Sequence, residues 1–224
     1  MRTATSAVNV EQRQKIEAAV AAAEGGTSCE IVPVVATGSG RYDRAEDIAG
    51  LWVSILGASV VWLVMPRQVA SGAWNDIPQW GEIVILALTI LICFVAGVAA
   101  CSRIAVLRRL FTPRQQMDEE VNLRARELFF DRRVHHTEGA SGILIYVSLF
   151  EHTAVVLGDR NVISAVADGF LTELCDRLTS DLKQIGIADS ICGVIQHASG
   201  TLADALPRSS DDVNELPDTL VLID

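Results

Sequence analysis

The sequence predicts an α/β chain: a small three-layer domain, split by a two-helix transmembrane hairpin. Three observations predict it. Two apolar runs, Leu51–Met65 (LWVSILGASVVWLVM) and Ile83–Cys101 (IVILALTILICFVAGVAAC), carry no charged residue and lie mid-chain. Segments of helical periodicity and short apolar strands alternate on both sides of them. Neither side suffices alone. The strand at Cys29–Val35 is too short to fold by itself, and the C-terminal part lacks a partner for its sheet edge. One domain built from both flanks buries all these apolar faces together.

In chain order, Asn9 and Gln12 form a capping-box variant that opens a helix through Ala23, with Ile16 and Val20 on one face. Gly25-Gly26 ends it. Cys29–Val35 (CEIVPVV) reads as a strand in which Pro33 removes one donor, which points to an edge or a bulge. Thr37–Arg41 is a loop, and Tyr42–Gly50 begins a helix that runs into the first apolar run.

The second run, at nineteen residues, approaches the roughly 20 needed to cross a bilayer core. The first is shorter, but Ala49 and Gly50 extend it. In lipid the backbone must satisfy itself, so both runs should be helices. Apolar character all round each helix favours the membrane over a soluble core. Neither span holds an ionisable side chain, so the pair reads as an anchor and not as a transport path.

Beyond the spans, Pro113 opens a long helix to about Arg133, with Met117, Val121, Ala125, Leu128 and Phe129 on one face. Ile143–Phe150 (ILIYVSLF) is a near-continuous apolar strand of the buried type. Glu151-His152 reads as a two-residue turn, and Thr153–Leu157 returns antiparallel. Two amphipathic helices follow: Ile163–Lys183, broken near Gly169, and Ile187–Leu206, stopped by Pro207. The final run Thr219–Asp224 is β-prone: it can add to a sheet edge of its own domain or of a partner, or fray. The resulting organisation is 1–50 as the N-terminal part of the domain and lead into the membrane, 51–102 as the hairpin (spans about 49–66 and 82–102), 103–206 as the C-terminal part, and 207–224 as an acidic mobile tail.

Charge narrows the functional classes. A formal charge of −10 and the lack of a basic, aromatic-interleaved stretch argue against a nucleic-acid partner. The five cysteines (Cys29, Cys93, Cys101, Cys175, Cys192) form no CxxC pair and suit a reducing compartment. The opening MRTATSAVNVEQ has no apolar stretch of the kind a cleavable signal peptide needs. Arg103, Arg108, Arg109 and Arg114 follow the second span, whereas the connecting loop offers only Arg67. Positive-inside bias thus puts both termini and the soluble domain in the cytoplasm of an inner-membrane, multi-pass protein. Trp52, Trp62, Trp74 and Trp80 suit an interfacial belt.

The block Thr137 to Val162, TEGASGILIYVSLFEHTAVVLGDRNV, resembles the TPM domain family, whose members show a glycine, an apolar strand, a charged turn, a second strand and then a glycine or aspartate before a helix. Gly142, Ser148, Glu151, Val155, Gly158 and Asp159 fall on that pattern. The resemblance covers roughly residues 8–36 and 110–206, and a bacterial variant of the family carries two transmembrane helices between these halves. It implies a mixed sheet flanked by helices. It also implies one of three roles reported across the family: phosphatase activity, divalent-cation binding, or service as an accessory subunit of a membrane complex. Ala140-Ser141-Gly142 lacks the carboxylate that many relatives carry before the apolar strand.

Candidate chemistry is sparse. His135, His136 and Glu138, with Asp131 nearby, are a local set of metal-ligand types, although neighbouring histidines on a strand face opposite ways and could equally complement a helix dipole. Asp159 either caps the helix after the second strand or holds a cation. Ser148 reads as a packed strand residue, and Cys29, Cys175 and Cys192 as buried, inert thiols. Neither a GxSxG elbow nor a Cys-x5-Arg loop occurs, and Gly38-Ser39-Gly40 lacks the rest of a phosphate loop. The expectation is a non-catalytic interaction or assembly module, with no cofactor, beside a membrane-protein partner or a second copy of itself. A divalent-cation-dependent phosphatase is the alternative, and it rests on the resemblance.

Overall fold

A computed structural model describes residues 3–65, 79–135, 141–208 and 215–224. The elements are α1 (Ala4–Ala7), α2 (Val10–Glu24), β1 (Glu30–Ala36), α3 (Asp43–Val64), α4 (Gln79–Arg103), α5 (Ala105–Phe111), α6 (Arg114–Asp131), β2 (Gly142–Ser148), β3 (Thr153–Gly158), α7 (Arg160–Ala165), α8 (Phe170–Leu182), α9 (Ile187–Ala205) and β4 (Val221–Ile223). The chain divides into two compact units. One joins residues 1–40 to 115–224, and the other is the continuous stretch 41–114.

The first unit is a four-stranded mixed sheet, in the order β3-β2-β1-β4. β1 pairs in parallel with β2 and with β4, and β3 runs antiparallel to β2. Alternation along the strands sends side chains to two separate cores. Ile31, Val35, Ile143, Ile145 and Val147 face α2, α8 and α9, meeting Ile16, Val20, Leu174, Leu178, Ile191 and Ile195. Val32, Val34, Leu144 and Tyr146 face α6, meeting Val121, Ala125, Leu128 and Phe129. Helices therefore cover both faces of the sheet. All seven positions of β2 are buried, which is why its sequence reads as an unbroken apolar run.

Local signals explain most boundaries. The Asn9 carboxamide accepts from the Gln12 amide at 2.7 Å while the Gln12 side chain accepts from the Asn9 amide at 3.0 Å, the reciprocal box that starts α2. Gly169, at φ 88°, separates α7 from α8. Gly142 starts β2 where a Cβ would stand 2.3 Å from the Val134 carbonyl oxygen, so no larger residue fits.

Several expectations need correction. Pro33 marks no bulge and β1 is an inner strand of the sheet, but at Pro33 itself the β4 side is still unpaired, a local edge. The amides of Ile31 and Thr37 point away from β2, towards the Glu24 carboxylate and the Ile223 carbonyl. The missing Pro33 donor falls on that same side, just before β4 begins pairing at Val34. The β2–β3 connection is not a two-residue turn at Glu151-His152. β2 ends at Ser148, and residues 149–152 form the loop, with His152 at φ 55°. The Leu149 and Phe150 amides turn to the Ala36 and Thr37 carbonyls instead of continuing towards β3. After the second apolar run the chain forms two helices, α5 and α6, where one was expected. At the C-terminal end Val221–Ile223 pairs with the chain's own β1.

The second unit holds the two apolar runs. α3 and α4 pack along one another as a hairpin. Both are long and apolar enough to cross a membrane, and little of either is buried within the protein. Large apolar side chains, including Leu63, Trp80, Ile83 and Ile92, point outward with more than half their surface exposed.

Candidate functional site

Polar side chains gather at both ends of the sheet. At the C-terminal ends of the parallel strands β1 and β2, where open α/β sheets place their ligands, four residues form a hydrogen-bonded chain. The Tyr146 hydroxyl lies 2.8 Å from Ser39 Oγ, and Ser39 Oγ donates to Ser148 Oγ at 2.9 Å. Ser148 Oγ in turn donates to Glu151 Oε2. The other oxygen of Glu151 accepts from the Ser39 amide at 2.8 Å. Tyr146, Ser148 and Glu151 are almost fully buried. Burial pushes the Tyr146 hydroxyl upward in pKa, so the phenol stays protonated and serves as a donor. The chain ties the loop after β1 to the loop after β2. Its buried hydroxyls are spent on one another, which is a structural arrangement and a poor one for nucleophilic attack.

The opposite end is acidic. A cavity of about 150 Å³ is lined by Glu24, Thr27, Cys29, Glu30, Arg208 and Asp218 among others. Glu24 and Glu30 are both buried acidic residues, at 9% and 7% exposure. Glu24 Oε1 accepts from the Ile31 amide at 2.8 Å, filling the place β4 leaves vacant along β1. Its Oε2 is buried, and the Asp218 side chain is a hydrogen-bonding neighbour that favours the protonated carboxyl. Burial, with the neighbouring charges of Glu30 and Asp218, pushes the Glu24 carboxyl up to about 8 against the pull of the Ile31 amide. Glu30 is also raised, chiefly by burial, although it accepts from the Glu215 and Leu216 amides at 3.1 and 3.3 Å. The Cys29 thiol is pushed up to about 12 by burial and by Glu24, Glu30 and Asp159, so it remains an unreactive thiol.

The residues singled out in the sequence fall as follows. Asp159 caps α7, its Oδ1 accepting from the Arg160 amide at 2.6 Å. Its Oδ2 is buried and without a hydrogen-bond partner. His135 follows α6 in a turn, with its ring 4.8 Å from the Phe130 ring in an edge-on contact. His136 and Glu138 lie outside the described residues. Among the described residues no group of three or more His, Cys, Asp and Glu side chains is placed to hold a metal ion.

Glu24, Glu30, Ser39 and Tyr146 were not foreseen as a polar framework. Glu24 does carry a signal, since it extends the buried stripe Ile16, Val20 by one more helical turn. Glu30 shares the strand alternation of Val32 and Val34. Ser39 and Glu151 are joined only by the tertiary fold, and nothing local announces them.

No protein-family model and no curated protein matches the chain. Among solved structures it is similar to the NMR structure of the BA42 protein from the psychrophilic bacterium Bizionia argentinensis, with a TM-score of 0.55 and 19% identity. The match covers 96% of this chain and 94% of that one. The likeness is one of fold.

Proposed function

We propose that this chain is a membrane-anchored, TPM-like domain that works as a non-catalytic interaction or assembly module at the cytoplasmic membrane. The observation that carries the reading is the α3–α4 hairpin. Its helices meet along one side and turn Leu63, Val64, Ile83, Leu91 and Ile92 outward. An apolar surface of that length is unstable in water and suits lipid. The arginines after α4 favour a cytoplasmic domain. The polar framework supports the non-catalytic part, because its buried groups hold strands and loops together.

Purification in mild detergent followed by chemical crosslinking should recover a stoichiometric membrane-protein partner or a homo-oligomer. A solitary monomer under every condition would defeat this reading. The alternative is a divalent-cation-dependent phosphohydrolase, favoured by the unsatisfied Asp159 Oδ2. The same preparation, assayed on a generic phosphate ester with and without magnesium, tests it. Activity that needs the cation and disappears in Asp159→Asn would replace the first reading. A reporter fused after Asp224 checks the side of the membrane.

A further inference from the structure

The short helix α5 has two unlike faces. Its inner face is fixed: α5 packs against both α3 and α4, and the Arg108 guanidinium pairs with Glu46 of α3. Arg108 also donates to the Ser102 carbonyl at 3.4 Å, and Thr112 Oγ1 closes the helix on the Arg108 carbonyl at 2.8 Å. The outer face is apolar and uncovered. Val106 and Leu110, one helical turn apart, are 78% and 75% exposed, and Ile104 just before the helix is 50% exposed. Here they stay outside, beside the end of α4.

Charge surrounds this face. Arg103 ends α4, Arg109 sits next to Leu110, and Arg114 follows the helix, with no acidic residue between Arg103 and Asp118. Ile104, in extended conformation at φ −105° and ψ 98°, breaks the helical path, so α5 is a separate element and not an extension of the span. An apolar face flanked by arginines, starting one residue after a span, matches the chemistry of a headgroup layer with acyl chains beneath it.

We infer that α5 is an interfacial helix that seats in the anionic phospholipid leaflet, with Ile104, Val106 and Leu110 in the acyl boundary and Arg103, Arg109 and Arg114 on the phosphates. This rests on the reading of α3 and α4 as spans. It adds a lipid preference to an anchor that would otherwise accept any bilayer. The helix is clamped through Arg108 and Glu46, so its outer face meets the lipid already ordered.

The test uses the full-length protein with Leu110→Trp, in vesicles of phosphatidylcholine alone and of phosphatidylcholine mixed with phosphatidylglycerol. Acyl-brominated lipid should quench the added tryptophan, over the parent's background, more strongly in the mixed vesicles. High salt, or Gln in place of Arg103, Arg109 and Arg114, should remove that difference, with each arginine contributing about a fivefold effect. Val106→Trp should behave alike. Emission from water in both membranes overturns the inference, as does equal quenching in both, which would mean insertion without headgroup recognition. A blue shift without quenching also overturns it, because the face would then be covered by protein. Carbonate extraction of the same vesicles separates the two readings. Protein retained without quenching sinks only α5, whereas release from the bilayer sinks the anchor and α5 together.

Discussion

Pro33 and Glu24 are two halves of one solution. A proline inside a sheet deletes a donor, and β4 is too short to pair along the whole of β1. The Ile31 amide would then be an orphan, and a buried orphan donor costs about 1–3 kcal/mol. The Glu24 carboxylate accepts it. The cost moves to the carboxyl, which is pushed up to about 8 from 4.5. The folded state therefore holds the Glu24 proton more tightly than the unfolded chain does. Stability from this group is full below pH about 4.5, falls as pH rises, and levels off above about 8. Glu30 is raised as well and acts in the same direction. Thermal melts in mild detergent should thus show a midpoint that drops between pH 5 and pH 8. Glu24→Gln keeps an oxygen for the Ile31 amide and should flatten much of that slope, stabilising the protein at pH 8 by on the order of 1 kcal/mol, a figure reduced for the solvent-facing cavity. An unchanged slope would show that Glu24 is ionised in the fold. None of this was readable locally: the sequence shows a proline in a strand, and only the register says which side its missing donor faces.

Elements with their own local signals were legible. The Asn9–Gln12 box, the buried stripe of α6 and the break at Gly169 needed no tertiary information. The β2–β3 loop and the separate α5 did need it, because the amides after Ser148 choose β1 and the kink at Ile104 carries no glycine or proline. The hairpin adds a packing rule of its own. Gly50, Ser54 and Gly57 form a small-residue stripe on α3, and Gly97 faces Gly50, where an added Cβ would lie 2.8 Å from the Gly50 Cα. Ser54 Oγ bonds the Gly50 carbonyl at 2.8 Å and also reaches the Ile90 carbonyl at 3.2 Å. Close backbone approach of this kind drives helix pairing where lipid removes the hydrophobic incentive. Gly97→Leu should force α3 and α4 apart and lower the detergent melting midpoint, at a cost of about 1–3 kcal/mol. Ile92→Leu, on the outward face at 65% exposure, is the control and should change nothing. Equal midpoints for the two variants would remove the stripe's role.

For the molecule as a whole, the prediction concerns autonomy. The α/β unit is built from two separated stretches, yet its two internal ends are neighbours. A Cβ on Gly40 would lie 2.9 Å from Glu120 Cγ, and Glu120 is on the second turn of α6. A linker of roughly eight flexible residues therefore spans the gap left by removing 41–114. Such a chain should be soluble without detergent and monodisperse on gel filtration, with a cooperative thermal transition. Aggregation or loss of the transition would show that the sheet needs the hairpin to stay folded. The split itself was visible from the two charge-free runs. The polar groups were less so: Glu24 meets the C-terminal segment at one end of the sheet and Ser39 meets Glu151 at the other, and chain position says nothing of either meeting.

The parallel pairing of β1 also dictates an order of events during synthesis. Ser141 Oγ donates to the Ser28 carbonyl across 113 residues of chain, and β4 arrives later still. When β1 leaves the ribosome, neither of its neighbours exists. It must wait, unpaired and apolar, while the hairpin is made. Contacts this distant are slow to form, and an exposed strand is a target for chaperones and for aggregation in the interval. If the hairpin is the proposed anchor, the growing chain is tethered to the bilayer before its α/β unit can close. A nascent chain halted before β2 would carry the hairpin but no sheet, and it would be a substrate for proteolysis.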